Sequence, residues 1–249
     1  MKKLLIIGIG AGDPDFITVQ AIKALNTVDV FFMLEKGAAK DAMVELRREI
    51  CRRYAKDRSY RMVEAPSPRR EPRPADYAGC VDGLNRAKQE TFERMIADGL
   101  GEGQVGAILA WGDPSLYDST IRNVEAIAAR QGIEYEVIPG ITAVQALTAR
   151  HRISLNTIGR PVEITTGRRL AEGWPAGVDT VVVMLDGEET YRRITDQDID
   201  IYWGAYLGTA DEILVAGRLA DVAEEIHRVR TAQRSAHGWI MDTYLMRRR

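Results

Sequence analysis

Gly112-Asp113-Pro114-Ser115-Leu116-Tyr117 joins an apolar run to a helix-like one. It follows the apolar run Val105-Gly-Ala-Ile-Leu-Ala-Trp111, which has the character of a parallel strand buried on both faces. After it, Ser119-Thr120-Ile121-Arg122-Asn123-Val124-Glu125 predicts a helix capped by Ser119 or Thr120. The hexapeptide therefore occupies the turn at the carboxyl end of a strand, where open α/β sheets bind ligands. Gly112 lets backbone approach a ligand with no Cβ in the way. Pro114 fixes φ, removes one amide donor and keeps Asp113 out of the helical region. The product is a stiff loop offering main-chain groups and one carboxylate. Taken alone, it fits an ordinary strand-to-helix turn equally well.

Two further loops of the same kind lie elsewhere in the chain. The strand-like Lys3-Leu-Leu-Ile-Ile-Gly-Ile9 runs into Gly8-Ile9-Gly10-Ala11-Gly12-Asp13-Pro14-Asp15, and Tyr135-Glu-Val-Ile138 runs into Pro139-Gly140-Ile141-Thr142-Ala143. A dinucleotide fingerprint needs G-x-G-x-x-G at such a turn. Here the glycines alternate, and the residue three after Gly10 is Asp13. A carboxylate there would repel a pyrophosphate, so the dinucleotide reading fails on charge.

Together the three loops resemble the tetrapyrrole methylase family, over most of the chain. Members transfer a methyl group from S-adenosylmethionine to a porphyrinoid carbon. Trp111, Asp118-Ser119, Ile164-Thr-Thr-Gly-Arg-Arg169, Met184-Leu-Asp-Gly-Glu188 and Trp203-Gly-Ala-Tyr-Leu-Gly-Thr209 are similar to members that methylate precorrin-5 at ring carbon C-1 and release acetate. The resemblance implies two α/β domains, residues 1–155 and 156–249, with a cofactor cleft between them. It implies cofactor contacts at Ala11, Gly112, Asp113, Leu116, Tyr117, Thr142, Ala143, Met184, Leu185, Tyr206 and Gly208. A substrate rich in carboxylates suits Arg168 and Arg169 as bidentate partners, with Arg122 and the arginines Arg69, Arg70 and Arg73 as weaker ones. Asp13 is the candidate catalytic carboxylate, able to accept a proton or a pyrrole N–H; the bland alternative is a turn aspartate bonding its own backbone. The water that removes the acetyl group would need activation, for which Asp13, Glu188 and His151 are candidates. A homodimer is also implied.

Composition narrows the classes. The chain has 249 residues, 45% of them hydrophobic, and a net charge of −2. That supports a sizeable core and gives no global field favouring nucleic acid or a membrane surface. No run approaches the ~18 apolar residues of a membrane span. Met1-Lys2-Lys3 before the apolar Leu4–Ile7 looks like a signal peptide only superficially, because glycines end it at once. Cys51 and Cys80 lack C-x-x-C spacing, which suits a reduced cytoplasmic setting. His151, His227 and His237 are scattered, with no metal-binding pattern, and neither a P-loop nor a G-x-S-x-G elbow occurs.

Along the rest of the chain, helices are predicted over 17–26, 76–98, 143–150, 188–195 and 219–228, and an amphipathic one carries Met43, Leu46, Ile50 and Tyr54 on its core face. Strands are predicted at 28–33, 60–63, 162–166, 180–185, 200–203, 212–217 and 238–244, the second half having more antiparallel pairing. Residues 66–74 hold four prolines and read as an irregular connector. Arg247-Arg-Arg249 reads as a solvated tail. Two other functions stay open: another precorrin methylase, or the diphthamide-forming methylase of the same fold; and, from a different class, a non-catalytic nucleotide-binding module.

Overall fold

The computed structural model describes residues 1–35, 41–57, 59–68, 77–196 and 198–249. Arg69, Arg70 and Arg73 lie outside the described residues. The chain divides into two compact units, Met1–Ile141 and Thr142–Arg249.

The first unit alternates strand and helix: β1 (Lys3–Gly8), α1 (Val19–Leu25), β2 (Val30–Glu35), α2 (Asp41–Tyr54), β3 (Arg61–Pro66), α3 (Tyr77–Gly99), β4 (Val105–Ala110), α4 (Thr120–Gln131) and β5 (Glu134–Ile138). The strands form a parallel sheet in the order β3-β2-β4-β1-β5. The central strands are apolar on both sides because both sides are covered. Leu4 and Ile6 of β1 pack with Phe92 and Ile96 of α3 and Val124 and Ile127 of α4. Leu5 and Ile7 pack with Ala21 and Leu25 of α1 and Ile50 of α2. Each such aliphatic side chain contributes about 1.5–3 kcal/mol on burial. The chain leaves β1 for α1 on one face and leaves the adjacent β4 for α4 on the other. β1 and β4 are thus the switch point of the sheet, where a ligand crevice belongs.

The second unit contains α5 (Ala143–His151), β6 (Val162–Thr166), α6 (Gly167–Leu170), β7 (Thr180–Met184), β8 (Ile199–Ala205), β9 (Ile213–Arg218), α7 (Leu219–His237) and β10 (Asp242–Arg248). Its sheet order is β6-β7-β10-β8-β9, with β6 and β7 parallel and the other pairs antiparallel. Trp203, Ile201, Val183, Tyr244 and Ile226 form its core. The division at 141/142 falls before the expected 155/156. The physical reason is α5, whose Leu147 sits against Gly204 of β8 and whose His151 Nε2 bonds Trp203 O at 3.0 Å.

Several local expectations need correcting. Ser119 makes no capping bond; Asp118 Oδ1 accepts from Thr120 N at 2.6 Å instead. The helix expected at 188–195 is a 3-10 turn, Thr190–Arg193. The helix expected to end near 228 continues to His237 and stops at Gly238, whose φ of +73° is the left-handed cap glycine provides. That moves the last strand to Asp242–Arg248, so Arg247 and Arg248 are sheet residues rather than a tail. Arg249 is held too, by Asp200 at 2.8 Å.

Candidate active site

In the first unit, the three glycine loops leave the carboxyl ends of neighbouring strands β4, β1 and β5 and fit together backbone to backbone. Gly112 N donates to Gly10 O at 2.8 Å and Gly10 N to Gly112 O at 3.2 Å. This pair of bonds spans the switch point. A Cβ on Gly140 would lie 2.1 Å from Gly112 O, and one on Gly8 would lie 2.6 Å from Gly140 N. Gly10 and Gly112 have φ of +82° and +68°, which suits glycine alone without strain.

The two Asp-Pro dipeptides use one device. Asp13 Oδ1 accepts from Asp15 N at 2.9 Å, and Asp113 Oδ1 accepts from Ser115 N at 2.8 Å. Each carboxylate thereby shapes the turn its own proline begins. Asp113 goes further, since its Oδ2 accepts from Gly140 N at 2.8 Å and ties the second loop to the third. Partial burial works against its charge, but the bonds from Ser115 and Gly140 prevail and hold the carboxyl below the usual range. Ala11, Asp13, Gly112, Asp113, Leu116 and Tyr117 are thus brought to one edge of this unit. Tyr117 is exposed, with a φ of +50°.

In the second unit, the carboxyl ends of β6, β7 and β8 share an edge. There lie Arg168 and Arg169 after β6, Met184 and Leu185 at the end of β7, and Tyr206 and Gly208 after β8. Leu185 is 68% exposed with a φ of +56°, and Tyr206 has a φ of +49°. Non-glycine residues in this region carry strain that surrounding structure must hold. Tyr117, Leu185 and Tyr206 are three of the five such residues among those described, and all three are expected cofactor contacts. Of the other two, Arg152 caps α5 and Glu189 opens the 3-10 turn.

A buried polar network holds the β7 loop. Asp186 accepts from Tyr244 Oη at 2.7 Å, Thr190 N at 2.6 Å and Glu188 N at 3.1 Å. Its main-chain carbonyl accepts from Arg230 Nη2 at 2.8 Å, and Arg230 Nε pairs with Asp242 at 2.8 Å. Burial pushes the Asp242 carboxyl above its ordinary value, with Arg230 and Trp203 offsetting part of the effect. Gly167 admits this arrangement, because a Cβ there would strike Asp186 Oδ1 at 2.3 Å. Sequence reasoning missed Asp186, Arg230 and Asp242. Two signals were available: a lone aspartate closing an apolar strand, and an arginine four residues after Ile226 on the apolar stripe of α7.

Other expected residues have different surroundings. Arg122 is exposed on α4 and lines a groove along α3 with Asp82, Arg86, Glu90, Glu93 and Arg130, where carboxylates balance guanidiniums. Arg168 and Arg169 are exposed, and Arg169 pairs with Glu172. Thr142 and Ala143 open α5 in the second unit, Thr142 Oγ1 accepting from Val144 N at 3.1 Å. Glu188 is paired with Arg193 at 2.9 Å. Burial lowers the His151 pKa, and its Nε2 is engaged by Trp203 O, which gives it a structural role there. Burial pushes the Cys51 thiol up to about 12, which leaves it inert. Among the described residues, no cluster of three His, Cys, Asp or Glu could hold a metal ion, and no helix is long and apolar enough to cross a membrane.

Known proteins resemble this chain along most of its length. Residues 3–223 match the family described as Tetrapyrrole (Corrin/Porphyrin) Methylases. The chain is 52% identical over 250 residues to a deacetylating precorrin-6A synthase from Sinorhizobium sp, covering 100% of this chain and 96% of that one. It is 28% identical over 224 residues to the uroporphyrinogen-III C-methyltransferase of Bacillus subtilis (strain 168), covering 82% and 77%. A crystal structure of a cobalamin synthesis related protein from Corynebacterium diphtheriae shares the fold with a TM-score of 0.83 at 34% identity, covering 100% and 99%. With its three glycine loops, its two sheets and a family match that runs through both units, this chain belongs to the tetrapyrrole methylases.

Proposed function

We propose that the chain is an S-adenosylmethionine-dependent C-methyltransferase of cobalamin biosynthesis that converts precorrin-5 to precorrin-6A, methylating C-1 and releasing acetate. The observation that carries this reading is the 52% identity, along the whole chain, to a deacetylating precorrin-6A synthase. The residues present suit the cofactor. Glycines with positive φ put no Cβ in the way of a ligand, and strained, exposed Leu185 and Tyr117 offer apolar surface. Ala11, Gly112, Asp113, Leu116 and Tyr117 would hold it from the first unit, and Thr142, Ala143, Met184, Leu185, Tyr206 and Gly208 from the second.

The sulfonium of the bound donor supplies an already activated methyl group. What remains for the chain is to bind, orient and exclude water, the work that rigid backbone loops do well. Asp113 acts through the main chain by locking two loops together. Asp13 is assigned to the substrate, as acceptor of a pyrrole N–H or a proton. Arg168 and Arg169 are assigned to substrate carboxylates. Titration calorimetry tests the cofactor assignment directly. Gly112→Val places a β-branched residue at a φ of +68° and should abolish measurable S-adenosylmethionine binding. Undiminished affinity in a folded variant would remove these loops from the cofactor site.

A further inference from the structure

The segment Leu185–Glu189 leaves β7 with a left-handed, non-glycine residue at each end: Leu185 has a φ of +56° and Glu189 of +57°. One side chain reaches both ends. Arg230, from α7, donates through Nη2 to Asp186 O at 2.8 Å, and its Nη1 lies 3.6 Å from Glu189 Oε1. Its Nε donates to Asp242 Oδ2 at 2.8 Å, which anchors the guanidinium to β10. Asp242 Oδ2 also accepts from Trp203 Nε1 at 3.1 Å. Glu189 Oε2 accepts from Tyr191 Oη at 2.9 Å and pairs with His227 Nδ1 at 2.8 Å. Burial opposes the Arg230 charge, but Asp242 and Glu189 outweigh it and hold the guanidinium above its ordinary pKa. Among the described residues, no buried side-chain nitrogen or oxygen lacks a partner.

Such a cluster is a poor means of stabilising a core. Interior charges cost desolvation, and apolar side chains of similar volume often serve as well or better. What a fully bonded polar network supplies is one fixed backbone arrangement. The arrangement fixed here is a strained one, and strained residues persist only where their surroundings over-determine them. The Leu185 side chain gains little from it in folding, since it is 68% exposed. The strain therefore serves the presentation of Leu185 and not the packing of the core.

We propose that Arg230 is a positioning residue for the cofactor: by bridging Asp186 O, Glu189 and Asp242, it holds the Leu185–Glu189 turn in the conformation that presents Leu185 to S-adenosylmethionine. This role rests on the proposed function, which makes Leu185 a cofactor contact. Lysine at position 230 keeps a cation for Asp242 but has no planar fork, so it cannot make the three contacts at once. Without the bridge the turn relaxes, and the bound cofactor must restore the strain.

The test is titration calorimetry of the full-length protein with S-adenosylmethionine, on the wild type and on Arg230→Lys. The affinity of Arg230→Lys should fall about five- to a hundredfold, the range set by the strain of one such residue. Ile226→Val, one helical turn earlier on α7 and buried in the same core, controls for stability: it should lower the unfolding midpoint and leave the affinity unchanged. A double-mutant cycle separates positioning from packing. Glycine adopts the φ of Leu185 without strain, so in a Leu185→Gly background Arg230→Lys should cost less than about twofold. A purely structural Arg230 gives the same loss in both backgrounds. If Arg230→Lys does not fold, Tyr244→Phe takes its place. It keeps the ring, removes only the bond to Asp186 Oδ2 at 2.7 Å, and should weaken binding about two- to tenfold. Unchanged affinity in the folded variant, or equal losses with and without the Leu185 side chain, overturns the role of Arg230 and leaves the proposed function standing. A wild-type protein that binds no S-adenosylmethionine overturns both.

Discussion

Gly140 has no room for a side chain. A Cβ there would lie 2.1 Å from Gly112 O and 2.8 Å from Gly8 C, all of it backbone that cannot rotate away. Gly140→Ala should therefore cost about 3 kcal/mol in chemical unfolding, the upper range for overpacking, and an unchanged midpoint would contradict the packing described. Asp13 poses a different question, because one of its oxygens already serves the Asp15 amide. Asn can give that amide the same acceptor but cannot take a proton. Asp13→Asn should thus leave folding and cofactor binding intact and slow single-turnover methyl transfer by roughly 10²–10⁴-fold. A near-normal rate would reduce Asp13 to a turn residue like Asp113.

Helix α5 illustrates what an element can do beyond its own propensity. Val144, Ala146 and Leu147 are buried, and His151 at its end donates to Trp203 O. Burial depresses the folded pKa of His151 below its unfolded value near ~6.5. The unfolded chain therefore binds more protons in that range, so stability is full above about pH 6.5 and falls as pH drops towards the folded pKa, below which the loss levels off. His151→Gln can keep the donor without the titration. Its unfolding free energy should vary less between pH 7 and pH 5 than the wild type's; parallel pH profiles would contradict this. The helix itself was legible, predicted over 143–150 and found at Ala143–His151, but its membership of the second unit was not. Its nine residues are no more amphipathic than a linker helix requires, and the chain from His151 to Asn156 has loop composition. The strands were legible because apolar runs bounded by glycine and proline admit few other structures. The three loops were legible for the same reason. The polar network around Asp186 was not, because Arg230 and Asp242 come from distant segments and meet only through the β10 register. Arg47 was hidden similarly: on a helix rich in charge it looks like one more solvated arginine, yet its guanidinium donates to Leu109 O and Met43 O.

At the scale of the molecule, each unit has cores made of its own residues. A fragment 142–249 should then fold cooperatively, whereas a fragment 156–249, lacking α5, should lose that cooperativity; calorimetric melting of the two decides where the division lies, and equal melting would return it to 155/156. The purified protein is incubated anaerobically with precorrin-5 and methyl-labelled S-adenosylmethionine, and label in the tetrapyrrole and free acetate are quantified together. One labelled methyl and one acetate per tetrapyrrole consumed are expected. Methylation without acetate would contradict the precorrin-5 step, and cofactor binding with no label transferred to any tetrapyrrole would contradict the methyltransferase itself.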